Sequence, residues 1–169
     1  MRATSVVYGC GLALGILGCH GRKPVDRPGA AAVVAGGARR LVVPANRQVT
    51  LVGQYRAGAR VDVEPTGGSW SAGPERPMVG AAGQPNALCL GDGAHHCIGG
   101  DAMAPWMGLL VLMTPCPIEQ QGCQVFGRDP VSAPMTFTVP RDGFMYLAPN
   151  DWMEAVGDNR GALTVDVAP

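Results

Sequence analysis

Residues 143–168 read GFMYLAPNDWMEAVGDNRGALTVDVA. The stretch opens on an apolar run, GFMYLAP, and closes on an alternating one in which Leu163, Val165 and Val167 take turns with Thr164 and Asp166. Successive side chains of a strand point to opposite faces, so the closing run predicts a half-buried strand. The two runs are too short and too free of helical period to be helices, and they read as neighbouring strands. The connection between them is NDWMEAVGDNRG, residues 150–161, with Asp151, Asp158 and Asn159 inside it and glycines at 157 and 161. Turns favour Asp, Asn and Gly because these side chains bond their own backbone or tolerate left-handed angles. A hard cation such as Ca²⁺ favours the same residues for their oxygens. Taken alone, the loop reads as a solvated hairpin sooner than as an ion site, because turns and calcium use the same residues. Gly157 and Gly161 are expected to supply the unusual backbone angles that either job requires.

The same alternation recurs upstream. RQVTLVGQY places Val49 and Leu51 on one face, ARVDVEP alternates Val61 and Val63 with Asp62 and Glu64, and PMTFTVP sets Met135, Phe137 and Val139 against threonines. MGLLVLM, residues 107–113, is apolar throughout and predicts a central strand covered on both faces. Gly and Pro clusters such as PTGGS, AGPERP and GRDPVSAP punctuate these runs. With 25 Gly and 15 Pro, no stretch reads as a capped amphipathic helix. Six to nine short strands with turn punctuation predict an all-β fold, a β-sandwich of the jelly-roll kind. The connection from Ser71 to Met107 is long for a compact domain, and long loops of that sort tend to carry function.

The N-terminus predicts export. MRATSVVYGCGLALGILGCH has an early Arg, an apolar stretch from Val6 to Leu17 of signal-peptide length, and Ile16-Leu17-Gly18-Cys19, which looks like a lipobox. Residues 1–18 are therefore expected to leave as a lipoprotein signal, with Cys19 becoming the lipidated first residue and membrane anchor. His20 after Cys19 resembles lipoproteins sorted to the outer membrane of a diderm cell envelope. Residues 19–39, rich in Gly, Pro and Ala, read as a flexible tether, and residues 40–169 as one small domain.

Cysteine usage agrees with an oxidising compartment. Setting aside Cys10 and Cys19 leaves Cys89, Cys97, Cys116 and Cys123, which allow three pairings. The short spacings favour 89–97 and 116–123. A zinc site in CLGDGAHHC is the alternative, but adjacent His95 and His96 turn toward one ion awkwardly. The chain carries 13 basic and 13 acidic residues with no basic patch, which argues against nucleic acid as a partner. No nucleophile elbow or HExxH zinc motif is present, and Ser71 or Ser132 with Asp92 or Asp101 has no supporting spacing, so an enzyme is not expected.

The segments WSAGP (70–74), VGAAG (79–83), GLLVLM (108–113) and GFMYLAPND…GDNRGALTVDV from Gly143 together resemble the galactophilic calcium-dependent lectins of pseudomonads, the PA-IL type. The resemblance spans residues 40–168 and is closest from Gly143 onward. It implies a galactose-binding-like jelly roll whose last two strands are joined by a Ca²⁺-holding loop, the ion in turn taking hydroxyls of a galactose-like glycan. The implied metal ligands are the side chains of Asp151, Asp158 and Asn159 and the carbonyls of Ala155 and Ala72. Asp151 and Asp158 would also face the sugar, and Trp152 would stack on its apolar face. This sequence departs from the family after the Gly80–Gly83 turn, where the segment is longer; His95, His96 or Gln84 would take the part of the family's sugar-binding histidine. Trp70 and Trp106 read as caps on the end of the sandwich. The competing reading from another class is a structural or adhesive lipoprotein that contacts a protein partner through the 71–107 loop.

Overall fold

The computed structural model describes residues 37–89, 97–98 and 104–169. The signal, most of the tether with Cys19, and the candidates His95, His96, Asp92 and Asp101 lie outside the described residues. Eight strands among the described residues form two four-stranded sheets. One sheet has the order β1 (Arg39–Pro44), β8 (Arg160–Ala168), β3 (Arg60–Ser71), β6 (Met135–Thr138). The other has the order β2 (Thr50–Tyr55), β7 (Gly143–Pro149), β4 (Leu109–Thr114), β5 (Gly127–Pro130). Every paired neighbour is antiparallel. This is the all-β sandwich that the alternating runs call for.

The inner faces close on one apolar core. Val61 and Val63 of β3, Leu163, Val165 and Val167 of β8, and Phe137 of β6 meet Leu109, Val111 and Met113 of β4 and Met145 and Leu147 of β7. Each buried aliphatic side chain contributes about 1.5–3 kcal/mol relative to exposure, so these positions hold the sheets together. The alternating threonines and acids of β3, β6 and β8 face outward. On that outer side Arg40 and Asp166, directly paired across β1 and β8, form an exposed ion pair at 2.7 Å. The guanidinium's hydrogen bonds hold the Asp166 carboxyl below its ordinary range.

All six residues of β4 are buried, as its unbroken apolar run predicts. Leu110 and Leu112 point away from the main core into a second cluster with Tyr146, Ala148, Val156, Ile98 and Ala104. Ile98 and Ala104 belong to the long connection between β3 and β4, so that segment is partly a lid on the outer face of the second sheet. Ile118 and Val125, from the loop after β4, extend the cover. The Tyr146 hydroxyl accepts the Ile118 backbone N–H at 3.0 Å, and burial pushes the phenol up from its ordinary range.

Both favoured disulfides are present, Cys89–Cys97 and Cys116–Cys123. The first removes the thiolates that a zinc site in this segment would need. One strand corrects the sequence reading. Val49 and Leu51 were expected to define the apolar face of β2, yet Leu51 is 53% exposed while Val52 is buried in the core. Alternation itself holds there, but the face shared by Val49 and Leu51 is the outer one: Leu51 lies opposite Tyr146 of the second cluster, Val49 packs against that cluster, and Val52 turns inward.

Candidate functional site

Three segments meet at one pole of the sandwich: the turn after β3, the residues just before β4, and the loop from β7 to β8. The first is fixed by a mutual backbone pairing of Trp70 with Val79 and by the Ser71 hydroxyl, which donates to the Gly73 carbonyl at 2.9 Å. That buried hydroxyl is thereby committed to a turn. The second segment is tied to the third by paired backbone bonds: Met107 N–H to the Asn150 carbonyl and Asn150 N–H to the Gly108 carbonyl, each 2.8 Å. Asn150 Nδ2 adds bonds to the carbonyls of Ala104 and Pro105, both 3.1 Å.

The β7–β8 loop is compact. Ala155 N–H bonds the Trp152 carbonyl, Asp158 N–H bonds the Ala155 carbonyl, and Val156–Asp158 forms a single 3-10 turn. Val156 anchors this turn in the outer apolar cluster. Gly161 has φ +86 and a Cβ there would overlap the Ser69 carbonyl oxygen, so glycine is required where β8 begins. Gly157 does not share that role: its φ is not positive and a Cβ would meet nothing within 4 Å. The sequence expectation held for one of the two glycines.

A cleft of about 350 Å³ opens at this pole. Ala72, Asp151, Ala155 and Asp158, four of the five residues proposed as ion ligands, line it together with Trp152, Trp106, Glu75 and Arg76. The strand ends bring Ala72 across from the loop: a Cβ on Gly73 would lie 3.5 Å from the Asp158 carboxylate. The fifth, Asn159, is buried to 5% exposure, and its Nδ2 donates to the Ala45 carbonyl at 3.2 Å. Asp158 and Trp152 are more open, and Gln84 is not part of the lining.

Asp151 is the informative residue. A carboxylate only 1% exposed should be fully hydrogen-bonded, because burying charge without partners is costly. Its Oδ1 accepts the Trp106 indole N–H at 2.7 Å. Its Oδ2 is buried with no hydrogen-bond partner among the described residues, and so is Oδ1 of Asn159. Both are oxygens from residues whose amides or carboxylates suit Ca²⁺, and they flank the same loop. The Ala155 carbonyl keeps a second lone pair after accepting Asp158 N–H. Two carboxylates, an amide and backbone carbonyls are the donor set a divalent hard cation accepts, so the residues present fit calcium.

Sequence reasoning placed Trp106 as a cap; it does pack against the main core, and it also has a polar contact that a cap does not require. It reaches 45 positions along the chain to Asp151, and its ring lies against Trp152 with centroids 6.4 Å apart. The Arg76 guanidinium sits 5.4 Å from the Trp106 ring centroid, completing one wall of the cleft. Nothing local in the sequence announces such a contact. The Cys89–Cys97 segment also reaches the site: Cys97 bridges to Trp152, and Ile98 N–H bonds the Asp151 carbonyl at 2.9 Å.

No family model matches this sequence, and no curated protein matches it. Among solved structures it is similar to one described as "EclA N-terminal domain; PllA-like lectin", with 18% identity and a TM-score of 0.50. The likeness covers 76% of this chain and 93% of that one. At that identity it establishes a common fold, the two-sheet sandwich found in that lectin.

Proposed function

We propose that this domain is a non-enzymatic, calcium-dependent carbohydrate-binding module that takes galactose-like glycans in the cleft between residues 72–76 and 151–158. The observation that carries the reading is the buried Oδ2 of Asp151, without a hydrogen-bond partner among the described residues, in a cleft lined by Ala72, Ala155 and Asp158. Asp151, Asp158, Asn159 and the carbonyls of Ala72 and Ala155 would hold the ion, which offers open coordination positions to vicinal sugar hydroxyls. Trp152 and Trp106 supply the apolar wall on which a ring's C–H face can rest. The fold shared with a described lectin supports the same reading.

A glycan array probed with and without chelator tests it. Galactose-terminated glycans are expected to bind in calcium and to be released by EDTA. Binding that ignores chelation, or no binding to any glycan in calcium, would sink the mechanism.

We further propose that the mature chain is a lipid-anchored envelope protein, on the strength of the Ile16–Cys19 lipobox and the Gly- and Pro-rich residues that follow. Replacing Cys19 by Ser should move the protein from the membrane fraction to the soluble one. An unchanged distribution would count against the anchor and leave the lectin reading untouched.

A further inference from the structure

Trp106 stands where the three segments of the pole are joined. Its own N–H bonds the Ala87 carbonyl at 2.8 Å and its carbonyl accepts the Gln84 N–H at 2.7 Å. Gly83 lets this approach happen, since a Cβ there would lie 2.6 Å from the Trp106 carbonyl oxygen and 2.5 Å from the Gly108 nitrogen. The next residue, Met107, has φ +59, a left-handed angle that non-glycine residues adopt only when their surroundings impose it. The surroundings here do. Met107 is buried, its N–H bonds Asn150, and its carbonyl accepts the buried Trp70 indole N–H at 2.7 Å. Strain of this kind clusters at functional sites, and the side chain next to this turn is the indole that bonds Asp151.

We propose that Trp106 is a positioning residue of the cation site. Its indole N–H occupies Oδ1 of Asp151 and locks the carboxylate, so that the buried Oδ2 is the oxygen left for the ion. A hydrogen bond to a charged group is about twice as strong as a neutral one, and it removes the rotamer freedom that ion binding would otherwise have to freeze. Phenylalanine at 106 would preserve the apolar wall facing Trp152 but could not donate. This separates packing from positioning. The inference rests on the calcium reading above.

The test is a calcium titration of the wild-type domain and of Trp106→Phe, by calorimetry and by melting in EDTA and in CaCl2. A purely structural tryptophan lowers melting in both conditions and leaves the calcium increment and Kd alone. A positioning tryptophan weakens the calcium Kd by roughly ten-fold or more and shrinks the increment. Wild type responding to calcium with Trp106→Phe responding identically overturns the proposal and leaves the calcium reading standing. No calcium response in the wild type overturns both. Should Trp106→Phe fail to fold, the indole N–H resonances of the intact protein provide the readout. That of Trp106 must move on adding CaCl2, while an unmoved resonance in a protein that calcium stabilises overturns the proposal.

Discussion

Adding calcium to the chelator-stripped domain is expected to raise its melting temperature by on the order of 10 °C at a hundred-fold excess over Kd. Binding to the native state alone stabilises by about 2.7 kcal/mol at that excess, and for a domain of this size each kcal/mol moves the midpoint by several degrees. Asp151→Asn should abolish the rise. The same variant in EDTA should melt no lower than wild type, because it replaces a buried carboxylate whose Oδ2 has no partner among the described residues by a neutral amide of the same shape. The two signs oppose each other. A residue that mattered only for packing would lower the melting temperature in both buffers. A calcium rise that survives Asp151→Asn intact would mean that the ion sits elsewhere.

The second large effect concerns the two glycines that close the loop. Gly161→Ala should destabilise by about 3 kcal/mol, combining a left-handed angle that alanine resists with overlap against fixed backbone. The obstacles are the Ser69 carbonyl oxygen and, at 3.1 Å, the Trp70 Cα, neither of which can swing aside within a paired strand. Gly157→Ala, by contrast, should be neutral or stabilise by about 0.4–1 kcal/mol, because its angle is ordinary and removing glycine restricts the unfolded chain. Denaturant melts of the pair, side by side, check this. Equal losses for both variants would contradict the geometry.

What the residues disclosed, and what they hid, follows from how far each signal travels along the chain. Alternation is local, so β3, β6 and β8 were readable from Val61/Val63, Phe137 and Leu163/Val165/Val167. The all-buried β4 was readable for the same reason. Leu51 misled because a count of every second residue finds two faces without saying which of them meets the core, and here it is the face of Val52. Asp151, Asp158 and Asn159 could be named from one loop, yet two of the proposed donors are main-chain carbonyls at Ala72 and Ala155, which any residue type could supply. Only the resemblance singled these two out, and the fold places both in the lining of the cleft. Trp106 was the hardest. Its bond to Asp151 spans 45 positions and sits beside a left-handed turn at Met107, neither of which a pattern of hydrophobicity encodes.

The direction in which β1 runs has a consequence for display. Arg39 pairs with Val167 at one end of the sheet, while Pro44 pairs with Ala162 at the other, where Ala45 accepts the Asn159 amide beside the cleft. Six residues of strand span about 20 Å, so the domain's first strand begins, and its last strand finishes, at the base remote from the cleft. A rigid support attached at residue 39 itself would hold the domain by that base and leave the cleft at the opposite, exposed tip.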